Sequence, residues 1–571
     1  MMLRHVFVWL GLLLGACAEG SHPGESLDVT DTSEANDTSD TAETRLETSD
    51  ADADEVGLDT SETDLQDGNL GPIEPLESSI ALDWALQTGH SPESWFGWPT
   101  ATLLDDGSLV VAGQFNGALE LDGLSVDSGD DDPYTHAVAA RITPEGIAAD
   151  LRRLCERCLS GTTPLIALAG GRYAFAAAVD GELVFEPGTP NARVVRADHQ
   201  LLVAIVGVNG QLEDHALVAR VAEGAEVRAL AATPGGGLAI GGSTWALALD
   251  DGPAFEAEEG WHYPGRAFVV VVDSELRPRY AEQLGGQAGS TVGMLRVDGE
   301  TLDMVGDFGG YPLGVETTFN EGLASATTLT SVSSDDDPAM DLFVARWTLP
   351  VLSEDDAPTR PRLVWARRFA NYQNGPRQPT WLRGTSERGL ELRVDGAGRL
   401  EVDGEHYALP RPERPEDGWT SVVVRLTSEG EASLSFVANG TVLPSRDGGF
   451  LSAATFGSGL TYRPQGEGGP SFAVPPATTG VDGTVYQGHV LARWRSDGAL
   501  IEAGLLLTES PASYWPPTLQ HLVPRADGAV YLVLHGSAPV TLAGSGGTRF
   551  PLLREANYER VVVIGARLVR P

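Results

Sequence analysis

Short apolar runs that close on arginine recur along this chain at a nearly constant spacing. Five of them are Ala137-Val138-Ala139-Ala140-Arg141, Leu342-Phe343-Val344-Ala345-Arg346, Ser421-Val422-Val423-Val424-Arg425, Val490-Leu491-Ala492-Arg493 and Val563-Ile564-Gly565-Ala566-Arg567. Two further copies, Leu201–Ile205 and Phe268–Val271, lack the arginine and fill the gap between the first two. The steps are 64, 66, 75, 79, 68 and 74 residues. Interleaved one to one with these runs is a second segment, a Gly turn ahead of a β-type run, as in Asp106-Gly107-Ser108-Leu109-Val110-Val111 and Asp527-Gly528-Ala529-Val530-Tyr531. Runs joined by so short a Gly turn read as β-hairpins. The 3.6-residue period of a helical array is missing.

Each repeat reads as strand, tight turn, strand, long insert, strand, tight turn, strand. In the first repeat the four strands are Thr100–Leu104, Leu109–Phe115, Ala137–Ile142 and Ala148–Leu154. Four antiparallel strands repeated seven times predict an all-β chain and a seven-bladed β-propeller. The last repeat stops at its third strand, Val561–Leu568, while an unpartnered fourth-strand-like segment, Ala81-Leu82-Asp83-Trp84-Ala85-Leu86, stands near the N-terminus and parallels Leu363-Val364-Trp365-Ala366-Arg367. The N-terminal strand is therefore expected to complete the last blade. Some inserts contain further strand-like pieces, Ala118–Leu121 and Arg399–Val402, which read as extra hairpins.

The N-terminus reads differently. Arg4 followed by the apolar run Val6–Leu14 has the layout of a signal peptide, over 1–16, and is too short to span a bilayer as a mature helix. Leu14-Gly15-Ala16-Cys17 resembles the lipobox of bacterial lipoproteins. That resemblance implies that Cys17 becomes the lipidated first residue. It also implies, since Ala18 stands where a retention Asp would, that the protein is sorted to the outer membrane. Several acyl chains on one cysteine would anchor stably, at about 0.8 kcal/mol per buried CH₂. Residues 21–78 hold 18 Asp/Glu against a single Arg45 and no aromatic residue. Such a stretch buries too little apolar surface to order itself, so 17–78 reads as a lipidated cysteine and a disordered acidic tether. The domain organisation is then 1–16, 17–78 and a β-propeller over 79–571. Over 79–571 the repeats also resemble the propeller repeats of lipoproteins from high-GC environmental bacteria, a resemblance that carries no assigned activity.

Composition excludes several functions. The chain has 81 Asp+Glu against 38 Lys+Arg, a formal charge of −43, and every basic residue is arginine. Nucleic-acid backbone is excluded as a partner, because such binding depends on neutralising phosphates. The absence of lysine excludes Schiff-base chemistry and a phosphate-loop Lys. Neither G-x-S-x-G nor H-E-x-x-H occurs, and Gly235-Gly236-Gly237 precedes a strand and so reads as a turn. Cys155 and Cys158 sit at the end of a predicted strand, where a local disulfide fits an oxidising compartment better than a redox motif, which would open a helix.

The long second-to-third inserts and the connections between repeats share one face, and they carry the unusual residues. Trp95, Trp98, Trp261, Tyr263 and Trp515 form the candidate binding face, with aromatic rings beside acids as a glycan or peptide surface requires. Asp130, Asp131 and Asp132 in the first insert, and Asp335, Asp336 and Asp337 in the fourth, are candidate Ca²⁺ ligands, and Ca²⁺ is the only cofactor the pattern suggests. The reading is an envelope lipoprotein, attached to the membrane through its lipid alone, whose propeller is a non-catalytic binding or scaffolding module for an envelope protein or glycan. Its alternatives are a polysaccharide-acting lyase or hydrolase on the same scaffold, and a calcium-stabilised adhesin.

Overall fold

The computed structural model describes residues 76–77, 79–90, 95–128, 136–155, 164–186, 190, 192–255, 265–286, 289–309, 316–331, 340–351, 356–370, 382–385, 389–396, 399–408, 420–445, 449–458, 460–462, 464, 471–478, 484–511, 518–536, 541–544, 549–551 and 560–569. Among them there is no helix; the fold is all-β, built from antiparallel sheets.

The described strands fall into seven four-stranded antiparallel repeats. The first is Trp95–Leu103, Leu109–Asn116, His136–Ile142 and Ala148–Cys155. The second is Leu165–Leu168, Arg172–Phe185, Arg193–Val206 and Leu212–Val221. The third is Glu226–Ala232, Leu238–Thr244, Arg266–Val272 and Pro278–Gln283. The fourth is Gly289–Asp298, Thr301–Gly309, Met340–Thr348 and Arg362–Ala370. The fifth is Leu382–Thr385, Gly389–Gly396, Thr420–Leu426 and Ala432–Asn439. The sixth is Thr441–Pro444, Phe450–Gly457, Thr484–Trp494 and Leu500–Pro511.

The seventh repeat takes Thr518–Pro524, Val530–Gly536 and Arg560–Val569 from the C-terminal end of the chain and Ser79–Gln87 from the other end. The N-terminal strand pairs from Ser79↔Val569 to Gln87↔Val562, with one bulge between Leu82 and Trp84. Leu76–Glu77, just upstream, adds in parallel to the outer strand of the sixth repeat.

Why these residues make strands is visible in the second and third strands. Leu109, Val111, Phe115 and Val138, Ala140, Ile142 are buried on one side of repeat one, and Val110, Ala112, Ala137, Ala139 on the other. An apolar strand buried on both faces reads as a continuous run rather than an alternation, which accounts for the apolar-run signature of the sequence. Among the described residues, each hydrophobic cluster joins two consecutive repeats. Val110 packs with Phe175, Val203 with Ile240, and Val269 with Met304. Val344 then packs with Leu392, Val423 with Val490, and Leu491 with Leu532. The last cluster sets Tyr531, Val533 and Val563 of repeat seven against Leu109, Val111 and Val138 of repeat one. Fully burying a Val or Leu side chain contributes about 1.5–3 kcal/mol, so these contacts dominate the cohesion between repeats.

The described parts of the inserts include further short strands. In repeat one, Ala118–Leu121 and Leu124–Asp127 form a hairpin that pairs with Gly89–His90, the continuation of the strand before it. In repeat three, Leu247–Ala248 and Ala254–Phe255 pair onto Arg220 and Val221 of repeat two. Arg399–Val402 with Glu405–Ala408 pairs onto Phe369 and Ala370 of repeat four. Thr541–Gly544 with Arg549–Pro551 pairs onto Leu506–Glu509 of repeat six. Each hairpin thus extends the outer edge of the preceding repeat, an edge that would otherwise present unpaired amides and carbonyls.

Candidate functional site

The five arginines that close the apolar runs all meet a carboxylate. Arg141 pairs with Asp106 at 2.6 Å, Arg346 with Asp303 at 2.7 Å, Arg425 with Glu391 at 2.5 Å, Arg493 with Glu502 at 3.5 Å and Arg567 with Asp83 at 2.8 Å. Four of these pairs join neighbouring strands, and Arg141 reaches Asp106 in the turn that joins the first two strands of its repeat. The most enclosed is Asp303, whose side chain is fully buried between Arg346 and Arg296, the latter 2.7 Å away. Burial pushes the Asp303 carboxyl above its ordinary range, although both guanidinium groups pull the other way.

Most of the residues expected to form a binding face lie outside the described residues: Trp261, Tyr263, Trp515, Asp130, Asp131, Asp132, Asp335, Asp336 and Asp337, together with Cys17 and Cys158. Three others are described as backbone. Trp95 and Trp98 were expected in a connecting loop but belong to the strand Trp95–Leu103, with Trp95 opposite Asn116 and Gly97 opposite Gln114. The ladder skips Trp98 and Pro99 in a bulge between Gly97 and Thr100. Proline has no amide hydrogen for a ladder, which is why the strand reads as broken at that point. Cys155 ends its strand opposite Ala137 and, on its other edge, opposite Phe185 of repeat two.

A group that sequence reading passed over comes together on repeat two. Its second and third strands, Arg172–Phe185 and Arg193–Val206, are each 14 residues long and kink together at a bulge between Val179 and Gly181. At that kink His199 takes a left-handed backbone, φ 48°, and its amide donates to Asp180 Oδ1 at 3.4 Å. Its ring Nδ1 lies 3.9 Å from the same oxygen. Donor atoms of Asp180, Asp198 and His199 all fall within 4.8 Å of one another. Asp180 and His199 border a recess of about 290 Å³ that is also lined by Ala178, Val179, Val221, Glu223 and Ala225. That volume is at the lower edge of small-molecule sites, which run from about 300 to 1,000 Å³. One imidazole with two carboxylates is a mixed N/O donor set of the kind divalent transition metals take, rather than the six to eight oxygens of Ca²⁺. All three groups are at least partly open to solvent. The signal in the sequence was slight: Asp180-Gly181 follows an apolar run, and Asp198-His199 precedes one, at facing positions of the two strands.

Other buried polar groups hold structure together. The His489 ring, fully enclosed in the third strand of repeat six, shares a 2.9 Å hydrogen bond with the Thr455 hydroxyl, and burial lowers its pKa to about 4. His521 Nε2 lies 2.7 Å from the Pro99 carbonyl and so joins the first strands of repeats seven and one. The outer strands grip the next repeat in the same way at two places. The Trp84 indole donates to the Pro144 carbonyl and the Trp365 indole to the Ser428 carbonyl, at 3.0 and 2.8 Å.

No protein-family model matches the chain. No curated protein matches it either. Among solved structures, a protein of unknown function from Dyadobacter fermentans is similar over 86% of this chain and 99% of its own, at 10% identity and a TM-score of 0.30. The extracellular domain of a hybrid two component system from B. thetaiotaomicron is similar over 84% of this chain and 82% of its own, at 9% identity and a TM-score of 0.14. Likeness at that level carries no argument about fold or activity.

Proposed function

We propose that residues 79–571 form a closed seven-bladed β-propeller that acts as a non-catalytic binding or scaffolding module, held at the outer membrane by a lipid on Cys17 and an acidic tether. The observation that carries the ring reading is the circular order of the hydrophobic clusters. Every repeat packs on the next, and the seventh packs on the first through Tyr531, Val533, Leu109 and Val111. The completion of the seventh repeat by Ser79–Gln87 supports it further. A binding role suits this architecture because a rigid ring presents its inserts as one broad surface, and binding residues concentrate on connections positioned by a scaffold. It also suits the charge chemistry: the buried carboxylates of Asp303 and Glu282 are each engaged by arginine. The lipobox resemblance supplies the envelope location.

The test uses the full chain produced in a Gram-negative host. Labelled palmitate is expected on the wild type and not on Cys17→Ser, with the wild type in the outer-membrane fraction. The detergent-solubilised protein is then presented to envelope glycans and outer-membrane proteins beside a variant with Trp95, Trp98, Trp261 and Trp515 changed to Ala. A ligand held by the first and lost by the folded variant supports recognition on the insert face. Turnover of an envelope polysaccharide by the purified chain would overturn the non-catalytic reading.

A further inference from the structure

In repeats one, two, three, five and six, five residues separate the third strand from the fourth; in repeat four the gap between Thr348 and Arg362 is thirteen. Part of that longer connection, Asp356–Pro361, runs in parallel along the outer strand of repeat three. Thr359 N donates to the Arg279 carbonyl and Ala281 N donates to the Thr359 carbonyl, both at 3.0 Å. The next residue, Arg360, reaches inward. Its Nε donates to Glu282 Oε2 at 2.7 Å and a second guanidinium nitrogen to Oε1 of the same carboxylate. Its third nitrogen donates to the Glu321 carbonyl at 2.9 Å, and its Cζ lies 5.2 Å from the Phe255 ring centroid. The Glu282 side chain is 0% exposed.

Planar bidentate pairing, a carbonyl on the remaining nitrogen and an aromatic face together select a guanidinium over an ammonium. The three walls come from separate segments: Glu282 from an outer strand, Phe255 from the insert of repeat three, and Glu321 from the insert of repeat four. The strap supplies the guanidinium and one extended residue to its left. Upstream, Asp356 and Ala357 are exposed. The strap therefore sits as an extended peptide sits when it adds to a sheet edge, with main-chain bonds for affinity and one pocket for specificity.

We propose that the outer edge of repeat three is a recognition site for extended arginine-bearing peptides, occupied in cis by Asp356–Pro361. A partner segment of the pattern Pro-Thr-Arg replaces the strap, pairs with Arg279 and Ala281, and seats its own arginine on Glu282. This goes beyond the ring and anchor reading and needs neither. A tethered segment competes at millimolar effective concentration, so the site answers weakly in the wild type and openly once Arg360 is removed.

The probe is a fluorescein-labelled peptide of residues 357–362, Ala-Pro-Thr-Arg-Pro-Arg, read by polarisation against the full chain. Arg360→Ala is expected to bind it at least 10-fold more tightly than the wild type. Adding Glu282→Gln to that variant, or replacing the first peptide arginine by lysine, is expected to cost at least 10-fold. Should Arg360→Ala not fold, Arg360→Lys, which keeps the charge and loses the fork, is read in its place. A folded variant that binds no peptide, binds the lysine peptide equally, or is insensitive to Glu282→Gln overturns the proposal.

Discussion

The Trp84 indole nitrogen donates to the Pro144 carbonyl across 3.0 Å, so a ring on the N-terminal strand holds a turn that belongs to repeat one. Gly146 of that turn has φ +83°, and a β-carbon there would fall within the Trp84 ring. Two constraints meet at one glycine: a left-handed backbone, which costs other residues about 1–2 kcal/mol, and the contact with the ring. Gly146→Ala is therefore expected to destabilise the chain by more than that backbone cost alone. Trp84→Phe, which keeps an aromatic ring but loses the hydrogen bond and part of the indole's contact, is expected to cost at least about 1 kcal/mol. Urea unfolding midpoints compare the two; a Gly146→Ala midpoint equal to wild type would remove the contact from the account.

The pairing of Ser79–Gln87 with Arg560–Val569 makes the closing strand separable from what precedes it. Removal of residues 1–75 is expected to leave the melting temperature within a degree or two. Removal of residues 1–87 takes out Ile80 and Leu82, both buried against repeat six, and is expected to lower it by 10 °C or more or to abolish cooperative melting. Equal melting of the two truncations would mean that the strand adds little.

Arg346 and Arg567 occupy the same position in their repeats and differ in enclosure. Arg346 is 5% exposed against a fully buried Asp303, whereas Arg567 is 52% exposed against Asp83. Arg346→Ala leaves the buried Asp303 carboxylate to Arg296 alone, so it is expected to cost about 2–3 kcal/mol, short of the ~3–5 kcal/mol of a buried charge with no partner left. Arg567→Ala is expected to cost under about 1 kcal/mol. Chemical denaturation at neutral pH reads both, and a reversed order would mean that solvent reaches Asp303.

His489 is expected to make the chain sensitive to mild acid. Its folded pKa is about 4 against an ordinary 6.5, so between those values the unfolded chain binds the proton and the folded chain does not. Its contribution is complete above pH 6.5 and is lost as the pH falls toward 4, at up to about 1.4 kcal/mol per pH unit. His489→Gln is expected to flatten that part of the stability profile while lowering stability at pH 7.5 through the altered bond to Thr455. An unchanged slope between pH 6.5 and 4 would assign the acid sensitivity elsewhere.

Much of the fold was legible because its signals are local. The seven periods, the pairing of the Ala81–Leu86 region with the last strand and the extra strands Ala118–Leu121 and Arg399–Val402 all follow from apolar runs and the turns that bound them. What stayed hidden depends on distance. Nothing in Leu247–Ala248 announces that it will pair with Arg220 and Val221, since the edge it joins carries no sequence mark for it. Glu282 and Arg360 are 78 positions apart, and either alone reads as a surface charge. Asp180 and His199 meet only because two long strands bulge at the same level. Trp95 was misplaced for a local reason, since Pro99 imitates the end of a strand that continues past it.

The insert hairpins have a consequence for how such a chain can change in length. Where a repeat's insert covers its predecessor's edge, as in repeats one, three, five and seven, a duplicated period brings one exposed edge and one cover together. Such a repeat can therefore be gained or lost without creating an unprotected border, provided the breakpoints fall one full period apart. A cut that separates a hairpin from the strands that follow it would break that balance at two places at once.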